Sequence, residues 1–555
     1  MRASLGARRQ AHATSNRITG NRRWWALGAV LLTMFFSSLD QTVVSTAMPV
    51  IIGDLQGFSL YAWVFTAYMI TSAVTVPIYG KLSDVYGRKP FYIFGLVVFM
   101  IGSALSGQAH DMLGLILFRA LQGVGAGAML TMPRASIGDI FNPRERGRWM
   151  GVLSSVFAVA MIVGPLLGGW ITDSIGWRWV FYINLPVALV ALIAVSYALP
   201  SVRTEGRLKL DWLGSLLLAL GLVPALLAFS WAGSRYPWSS APILGLFGLS
   251  VALMSLFWAV ERHAAEPVLA PELLGNRIFT STAMIGFLIS LGMFGSLIYL
   301  PVFIQGALGE SALRSGQVMM PMMLSFIVGS VVGGQLISRT GRYRLQAIVG
   351  TLLMALGTWL LTRMGTETPL LTVIRNMIVI GLGIGAVLPL LNVVVQNAFP
   401  YKIMGMVNAT QQFVRSLGGI IAAPILGTVL ANTFATQLAE RMPSGLKQAI
   451  GQLPPAQQGQ LFDPQGLTNA GAQQAIRQMF AGFGRQGPGL YHQFIELVRQ
   501  ALAAGTAHLF TVALVFAGLA FLAAFFLREL PLQHDEFFEQ RAQAERDTGL
   551  RYDKN

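Results

Sequence analysis

The chain has 555 residues, of which 54% are hydrophobic and 11% are charged, and its formal net charge is +15. A soluble protein carries charges on about a quarter of its residues, so this composition excludes the soluble classes and indicates a helical integral membrane protein. Most arginines and lysines lie in short loops beside apolar segments. Orientation in a membrane therefore explains the positive charge better than nucleic-acid binding does.

The first 23 residues form a polar tail with six arginines and no acidic residue. The apolar run that follows is too long for the hydrophobic region of a signal peptide, and no A-x-A-like cleavage site follows it. The chain contains fourteen apolar stretches of about 20 residues or more, the length that crosses a bilayer. They occupy 24–51, 60–80, 90–109, 112–138, 147–172, 178–199, 211–231, 241–260, 277–305, 316–337, 344–363, 368–398, 405–432 and 504–527.

The positive charges predict the orientation of these spans. Arginines and lysines precede span 1, lie in each loop that follows an even-numbered span up to span 12, and follow span 14. With fourteen spans, all these positions are on one side of the membrane. The positive-inside rule then places both termini in the cytoplasm of a multi-pass protein of the inner (cell) membrane.

A ten-residue stretch occurs twice. "GKLSDVYGRK" (80–89) and "GQLISRTGRY" (334–343) are identical at four positions, and each follows the second span of a six-span block. Spans 1–6 and 9–14 therefore look like two parallel copies, with spans 7 and 8 inserted between them. In secondary transporters built from such repeats, the substrate site lies between the halves near the middle of the membrane.

The spans and the repeat predict a division into five parts and one external segment. The parts are a basic cytoplasmic tail (1–23), an N-terminal six-helix bundle (24–199), two inserted helices with linkers (200–276), a C-terminal six-helix bundle (277–527) and a second cytoplasmic tail (528–555). The external segment, 433–503, is polar and rich in Gln, Gly and Pro. We expect a solvated or interfacial loop there, with amphipathic helices possible near 434–452 and 467–480.

Four stretches carry a resemblance to a known family. "GKLSDVYGRK" resembles the cytoplasmic loop signature of the major facilitator superfamily, G-x-L-x-D-x-x-G-R-[RK]. The stretches "LDQTVVSTAMP" (39–49), "RALQGVGAGAM" (119–129) and "GVLSSVFAVAMIVGPLLGGW" (151–170) are similar to the first-, fourth- and fifth-helix signatures of its 14-spanner drug:proton antiporter branch. The resemblance covers the whole chain, but it does not identify a substrate.

The resemblance implies an all-α membrane fold of two six-helix bundles plus two inserted helices. It also implies proton-coupled efflux of lipophilic or amphiphilic compounds by alternating access, a multidrug-type antiport that confers antibiotic resistance. Two alternatives remain open. The first is an exporter of an endogenous lipid or secondary metabolite, and the second is a membrane sensor that transports nothing.

Two charged residues lie deep within predicted spans. Asp40 is about 16 Å from the outer end of span 1 at about 1.5 Å per residue, and Arg119 is about 12 Å from the outer end of span 4. An unpaired carboxylate there is costly, so a carboxyl that is exposed alternately to two sides can carry a proton. The alternative roles are a carboxylate bound to Thr42 or the backbone, and a snorkelling arginine. The resemblance implies proton coupling for Asp40 and Arg119, while direct contact between them does not follow from the sequence.

Two motifs are expected to act between helices. The cytoplasmic loop is predicted to form a latch that opens and closes in each cycle, in which Asp84 meets the start of span 13 near Met404 and Arg88 reaches Asp139. Its residues are Gly80, Asp84, Gly87, Arg88, Lys89 and Asp139. The antiporter motif of span 5 is expected to form a bend and a tight contact that closes the inner end against proton leak. Its residues are Gly164, Pro165, Gly168 and Gly169.

The substrate cavity is expected to be apolar and aromatic, because aromatic residues and methionine repack around varied ligands. The candidates are Tyr68, Met293, Phe294, Tyr299, Asn392, Gln396, Asn408, Gln411, Gln412 and Arg415. For any one of them, packing in the core or against lipid is an alternative role. Arg375 resembles a second copy of Arg119, although the glycines that follow it are displaced by two residues.

The sequence has no Walker loop, catalytic triad or cluster of metal ligands, and its G-x-G-x-G run at 123–127 lies within an apolar span without a preceding strand. We therefore expect no enzyme activity, no cofactor and no metal. The expected partners are a small lipophilic substrate, protons and the lipid bilayer, with no nucleic acid. The protein is expected to be a monomer.

Overall fold

The computed structural model describes residues 21–55, 57, 60–141, 143–199, 212–232, 236–263, 273, 275–399, 404–451, 470–481 and 486–529. These residues are helical apart from turns and one isolated β-bridge between Ala232 and Tyr236. Most of both predicted tails, the linker between spans 6 and 7, and residues 452–469 of the predicted external segment lie outside the described residues.

The N-terminal bundle consists of six helices. They are α1 (Asn21–Leu55), α2 (Tyr61–Tyr86), α3 (Arg88–Gly107), α4 (Met112–Ile140), α5 (Pro143–Ser174) and α6, which has two segments, Trp179–Tyr182 and Asn184–Ala198. Two further helices follow, α7 (Trp212–Trp231) and α8 (Ala241–Glu261). Helix α7 packs against α8, and it also contacts α2 and α13, a later helix that begins at Met404. Leu218 of α7 and Phe413 of α13 belong to the same apolar cluster.

The C-terminal bundle also consists of six long helices. They are α9 (Arg277–Val302), which continues into a π-helical turn (Phe303–Ala307), α10 (Ala312–Thr340), α11 (Arg344–Thr362), α12 (Leu370–Ala398), α13 (Met404–Arg441) and α14 (Gly487–Ala524). Two short helices, Ser444–Gly451 and Ala470–Ala481, lie between α13 and α14 in the chain.

Thirteen helices in the described part of the chain are long and apolar enough to cross a membrane. The predicted seventh span corresponds to α7, whose apolar stretch, Leu216–Phe229, is shorter. The predicted fold, an all-α membrane protein of two six-helix bundles with two inserted helices, is confirmed.

The described part of the external segment is helical, and its short helices, Ser444–Gly451 and Ala470–Ala481, overlap the two stretches where amphipathic helices were considered possible. Helix α13 continues to Arg441, and α14 begins at Gly487, so both extend well beyond the predicted spans 13 and 14. Apolar side chains in these extensions and in the short helices are buried, including Phe434, Phe480 and Phe494. Burial of these side chains explains why the described part of the segment is helical.

The two bundles contact each other near the ends of α5 and α10. The Asp173 carboxylate at the end of α5 accepts hydrogen bonds from the backbone N–H groups of Ala312 (3.3 Å) and Leu313 (2.8 Å) at the start of α10. A Cβ on Gly169 would overlap the backbone of these two residues, and a Cβ on Gly316 would overlap the Pro165 carbonyl. The backbones of α5 and α10 are therefore in close contact, which only glycine allows.

Further contacts between the bundles lie at the same end of the molecule. The Tyr61 hydroxyl donates to the Ile298 carbonyl, and the Tyr61 and Tyr299 rings are 5.2 Å apart. Gln305, in the π-helical turn, donates to the Thr46 carbonyl of α1 (2.9 Å). In the predicted orientation these contacts close the external end.

The antiporter motif was expected at the inner end, and the structure places its contacts near the opposite end. Gly164 is about 32 Å along α5 from Pro143, which lies beside the basic loop that defines the predicted cytoplasmic side. Gly164 and Gly168 pack against α1, and Gly169 packs against α10. The motif glycines therefore make close contacts, and in the predicted orientation these contacts lie towards the external end, because the motif lies in the later part of a 32-residue helix.

Candidate functional site

A buried ion pair joins α1 to α4. Arg119 Nη1 lies 2.9 Å from Asp40 Oδ2, and both side chains are almost fully buried, with exposed fractions of 1% and 0%. The sequence predicted both residues as functional candidates, and the structure shows that they are in contact. Thr42, the alternative partner for Asp40, instead donates its hydroxyl to the Leu39 carbonyl (3.1 Å).

Two amide side chains also bind the Asp40 carboxylate. Gln122 Nε2 (3.0 Å) and Asn184 Nδ2 (2.8 Å) both donate to Oδ1. Arg119 Nη1 in addition donates to Gln122 Oε1 (2.6 Å), which fixes the orientation of that amide. Three N–H donors therefore surround one carboxyl group, and this arrangement matches the ionised form, which only accepts hydrogen bonds.

Ser103 on α3 completes the network. Its hydroxyl donates to the Phe181 carbonyl (2.9 Å) and accepts hydrogen bonds from Asn184 Nδ2 (2.8 Å) and Gln122 Nε2 (3.2 Å). A serine hydroxyl has one hydrogen. Because the Phe181 carbonyl takes that hydrogen, the lone pairs of Ser103 face both amides, and both amides present their nitrogen atoms to Asp40.

Aromatic rings enclose the other side of the pair. The Arg119 guanidinium lies 4.2 Å from the centre of the Tyr68 ring and 5.9 Å from that of Phe181. Cation–π contacts of this kind are strongest where water is excluded. Tyr68, a predicted cavity residue, is thus buried against Arg119.

Local sequence brings the four helices together. A Cβ on Gly102 would overlap the backbone of Gln122, so α3 and α4 approach closely at the level of Ser103. Pro186 has no N–H group to continue the hydrogen-bonding pattern of α6, and the helix is interrupted at Ile183. This interruption lies between the Phe181 carbonyl and Asn184, the two groups of α6 that enter the network.

Three members of the network were missed by the sequence predictions. Gln122 lies three residues after Arg119, on the same helix face, and this spacing could have identified it. Asn184 is the one amide in the sixth span, which is another usable signal. Ser103 gave no signal, because small hydroxyl residues are common in membrane helices.

The predicted cavity residues differ in their burial and in the groups that they bind. Tyr299 is fully buried, and its hydroxyl donates to the Ala423 carbonyl. Gln411 is buried and donates to the Leu391 carbonyl of α12 (3.2 Å). Met293, Asn408 and Phe294 are partly buried, Asn392 is exposed, and the side chain of Gln396 lies outside the described residues.

Arg415 lies on a partly exposed face of α13. Its guanidinium donates to Gln412 Oε1 on the same helix. One turn further, Gly419 packs against the Phe294 ring of α9 and against Met69 of α2. The face of α13 that carries Arg415 therefore runs towards the contact between the two bundles, which we call the seam. This face remains the best candidate for a polar wall of a substrate cavity.

The cytoplasmic loop is a sharp turn. Gly87, with φ of 89°, separates α2 from α3 and has a conformation that favours glycine. Arg88 Nη1 donates to Ser83 Oγ (2.5 Å), Lys89 is partly buried, and Gly80 packs against Thr131. The side chains of Asp84 and Asp139 lie outside the described residues, so the latch contacts remain predictions.

Arg375 is not the counterpart of Arg119. Three alternate glycines of α4 pack against α2 and α3, and three alternate glycines of α12 pack in the same order against α10 and α11. They are Gly123, Gly125 and Gly127, and Gly381, Gly383 and Gly385. The two sets are 258 residues apart (381 less 123), and this offset places Met377 opposite Arg119.

Arg375 instead lines a surface cavity of about 350 Å³ at the turn between α11 and α12, together with Arg363 and Glu367. Its guanidinium donates to Asn376 Oδ1 (3.4 Å). No group of three or more potential metal-ligating side chains occurs among the residues that the structure describes.

Two six-helix bundles that contact each other at one end, with a buried ion pair inside the first bundle, are the architecture of a multi-pass membrane transporter. The chain belongs to the Major Facilitator Superfamily, whose family profile matches residues 30–423. The family predicted from the sequence is thereby confirmed, and such a transporter moves small molecules across a membrane.

Several curated relatives are similar over most of their length. The chain is 38% identical to "Multidrug transporter protein MdtP" of Bacillus subtilis over 94% of this chain and 96% of the relative. It is 36% identical to "Multidrug resistance protein 3" of the same organism over 80% of this chain and 86% of the relative. It is 30% identical to "Efflux pump FUS6" of Gibberella moniliformis over 93% of this chain and 89% of the relative.

Solved structures support the fold. A bacterial homologue of the human lysosomal transporter Spinster, in an inward-facing and unoccupied conformation, matches 92% of this chain and 100% of its own length, with a TM-score of 0.62 and 17% identity. A D-xylose–proton symporter matches 73% of this chain and 90% of its own length, with a TM-score of 0.53 and 14% identity. At these identities the likeness concerns the fold alone.

Proposed function

We propose that the protein is a proton-coupled exporter of lipophilic or amphiphilic compounds in the inner membrane, with both termini in the cytoplasm. Similarity to transporters named for multidrug resistance and efflux supports the export of drug-like compounds. The observation that carries the proton coupling is the buried Asp40–Arg119 pair, because a carboxyl and a guanidinium held away from water form a minimal proton switch.

The pair can couple a proton to a conformational change through its energetics. Removal of one partner from a buried ion pair leaves an uncompensated charge and costs about 3–5 kcal/mol. Arg119 therefore stays bound while Asp40 is ionised, and protonation of Asp40 releases it. Released Arg119 still has the Gln122 carbonyl and the Tyr68 ring as partners.

In the proposed cycle, this conformation, which is closed at the predicted external end, precedes substrate binding. With α5 and α10 in contact and Asp40 ionised, the protein has released its proton to the cytoplasm and is ready to bind substrate. In the opposite conformation, Asp40 takes up an external proton after the substrate has left. Substrate leaves and a proton enters in each cycle, which is antiport by alternating access.

The charges near the seam favour neutral or amphiphilic substrates. Arg119 forms an ion pair with Asp40 in this conformation, so the carboxylate does not offer a free negative charge to a cationic substrate. Arg415 adds a positive charge on the partly exposed face of α13. Similarity to the "Acurin A biosynthesis cluster MFS-type transporter" of Aspergillus aculeatus, 31% identical over 93% of this chain, favours export of a secondary metabolite as the second candidate function.

The test is transport into proteoliposomes with an acidic lumen, which takes the part of the external side. The probes are ethidium, tetraphenylphosphonium, chloramphenicol and a fluorescent lysolipid, which separate cationic, neutral and lipid substrates. The wild-type protein should accumulate at least one probe against its gradient, and Asp40→Asn should abolish accumulation. Asp54→Asn is the matched control, because Asp54 also lies on α1 and pairs with an arginine, Arg178 (2.9 Å), but is 41% exposed.

Two outcomes contradict the proposal. Accumulation that survives in Asp40→Asn would show that another group couples the proton. Binding of a probe without any accumulation by the wild-type protein would favour a membrane sensor.

A further inference from the structure

We propose that Asn184 is a positioning residue that holds Oδ1 of Asp40, so that the proton and Arg119 compete for Oδ2. This inference rests on the proposed proton coupling. It assigns a role in that coupling to α6, which contributed no residue to the predicted site.

The geometry separates the two oxygen atoms of Asp40. Oδ1 accepts hydrogen bonds from Gln122 and Asn184, whereas Oδ2 accepts one from Arg119. When a carboxyl is protonated, its other oxygen is a carbonyl that still accepts hydrogen bonds. A proton can therefore bind at Oδ2 while both amides remain in place, and the Arg119 bond is the one that must break.

Asn184 can act in this way because its own position is fixed. It is 1% exposed, begins the second segment of α6, and its Nδ2 atom donates to both Asp40 and Ser103. Ser103 is oriented in turn by the Phe181 carbonyl of the same helix. The α6 backbone thus sets the direction in which the amide points.

The charged and ionisable groups described around Asp40 are few. Arg119 of α4 and Tyr68 of α2 face it, with the Tyr68 ring lying against the Arg119 guanidinium. Helices α3 and α6 contribute the neutral groups of Ser103 and Asn184. Helix α5 contributes Gly164, which packs against Thr42. Among the described groups around Asp40, Arg119 is the one cation, so a change in the Asp40 titration after loss of the Asn184 donor can be assigned to that donor.

Hydrogen bonds stabilise an ionised carboxylate more than a protonated one. Asn184→Leu, which is similar in size, should therefore raise the midpoint of the Asp40 titration by about one pH unit, a tenfold change in proton affinity. Asn184→Asp places a second carboxyl beside Asp40 and should raise the midpoint further.

The experiment is an infrared difference titration of the purified full-length protein in lipid. The carboxylic C=O band of Asp40 is identified by its loss in Asp40→Asn. The midpoint should rise in Asn184→Leu and in Ser103→Ala, which removes the hydroxyl oxygen that both amides bind. Ser106→Ala is the matched control and should leave it unchanged, because Ser106 is buried on the same helix but donates to the Gly102 carbonyl (2.8 Å).

Ser103→Ala is the smaller change and keeps the test decisive if Asn184→Leu does not fold. An unchanged midpoint in Ser103→Ala and in any folded Asn184 variant would overturn the inference. A midpoint that shifts equally in Ser106→Ala would also overturn it, because the effect would then be a general one of α3 packing.

The titration also separates this inference from the proposed function. If the midpoint shifts as expected but a pH gradient drives no transport by the wild-type protein, the proposed function fails and the positioning role stands. If Asp40→Asn abolishes accumulation but the midpoint does not move in Asn184→Leu or Ser103→Ala, the positioning role fails alone.

Discussion

Removal of the Asp173 carboxylate should open the molecule at the end that we predict to be external. Asp173 belongs to α5, and the two N–H groups that it binds belong to the first turn of α10 in the other bundle. The contact exists only when the bundles are closed at this end. Its loss therefore destabilises one conformation and leaves the other unchanged, which shifts the population between them.

The size of the shift follows from the contact. A side-chain cap on a helix N-terminus contributes about 0.5–2 kcal/mol, and a negative charge there adds about 0.3–1 kcal/mol when exposed. Asp173 is exposed, so we expect a total of about 1 kcal/mol for Asp173→Ala, or about a fivefold change in the ratio of open to closed molecules. Asp173→Asn keeps a neutral acceptor and should have a smaller effect.

The assay is double electron–electron resonance between spin labels on cysteines at Ile175 and Arg314. The chain has no native cysteine, so the labelled pair needs no other substitution. Asp173→Ala should increase the population with a long distance, relative to the unsubstituted labelled protein. Asp111→Asn is the control, since Asp111 caps α4 within its own bundle by accepting from the Gly114 N–H group (2.6 Å). An unchanged distance distribution in Asp173→Ala, or an equal change in Asp111→Asn, would refute the reasoning.

Arg119→Lys should lower pH-driven transport at least tenfold, because a lysine cannot bind Asp40 and Gln122 while lying flat on Tyr68. Arg178→Lys, at an exposed arginine that pairs with Asp54, should leave transport into acidic proteoliposomes nearly unchanged; equal losses in both variants would contradict the special role of Arg119. Gly316→Ala should hinder external closure, because its Cβ would overlap the Pro165 carbonyl, and should increase the long-distance population in the same resonance assay. Gly334→Ala lies on the same helix in open space, and a similar change there would argue against close contact as the cause.

The family and its fold could be predicted because they depend on one-dimensional patterns. Long apolar stretches, the alternation of basic loops and the repeated loop motif can all be recognised in the sequence without knowing how the helices pack. Asp40 and Arg119 could be found for the same reason, since a charge in an apolar helix is costly wherever the helix faces.

Contacts between helices could not be predicted in this way. The contacts of Asp40 with Arg119 and with Asn184 depend on how α1, α4 and α6 are rotated about their axes, and the packing of the whole N-terminal bundle fixes that rotation. Tyr68 and Tyr299 were expected in the cavity because an aromatic residue in a span has the same sequence pattern whether it faces a ligand or a neighbouring helix. The structure places Tyr68 on Arg119 and Tyr299 against α13.

The two copies of the internal repeat align by their glycines rather than by their arginines. The glycines determine how α12 packs on α10 and α11, whereas Arg375 lines a surface cavity. With the glycines aligned, the second bundle has Met377 where the first has Arg119. The buried ion pair therefore belongs to one bundle, and the proposed proton switch is asymmetric.

The most direct test of the proton switch is to count protons released on substrate binding. The full-length protein, purified in weakly buffered detergent at a pH where Asp40 is partly protonated, is mixed with a probe that it accumulates in proteoliposomes. The proposed mechanism predicts that the wild-type protein and Asp54→Asn release protons, and that Asp40→Asn binds the probe and releases none. Equal proton release by Asp40→Asn would contradict the assignment of the proton to the Asp40–Arg119 pair.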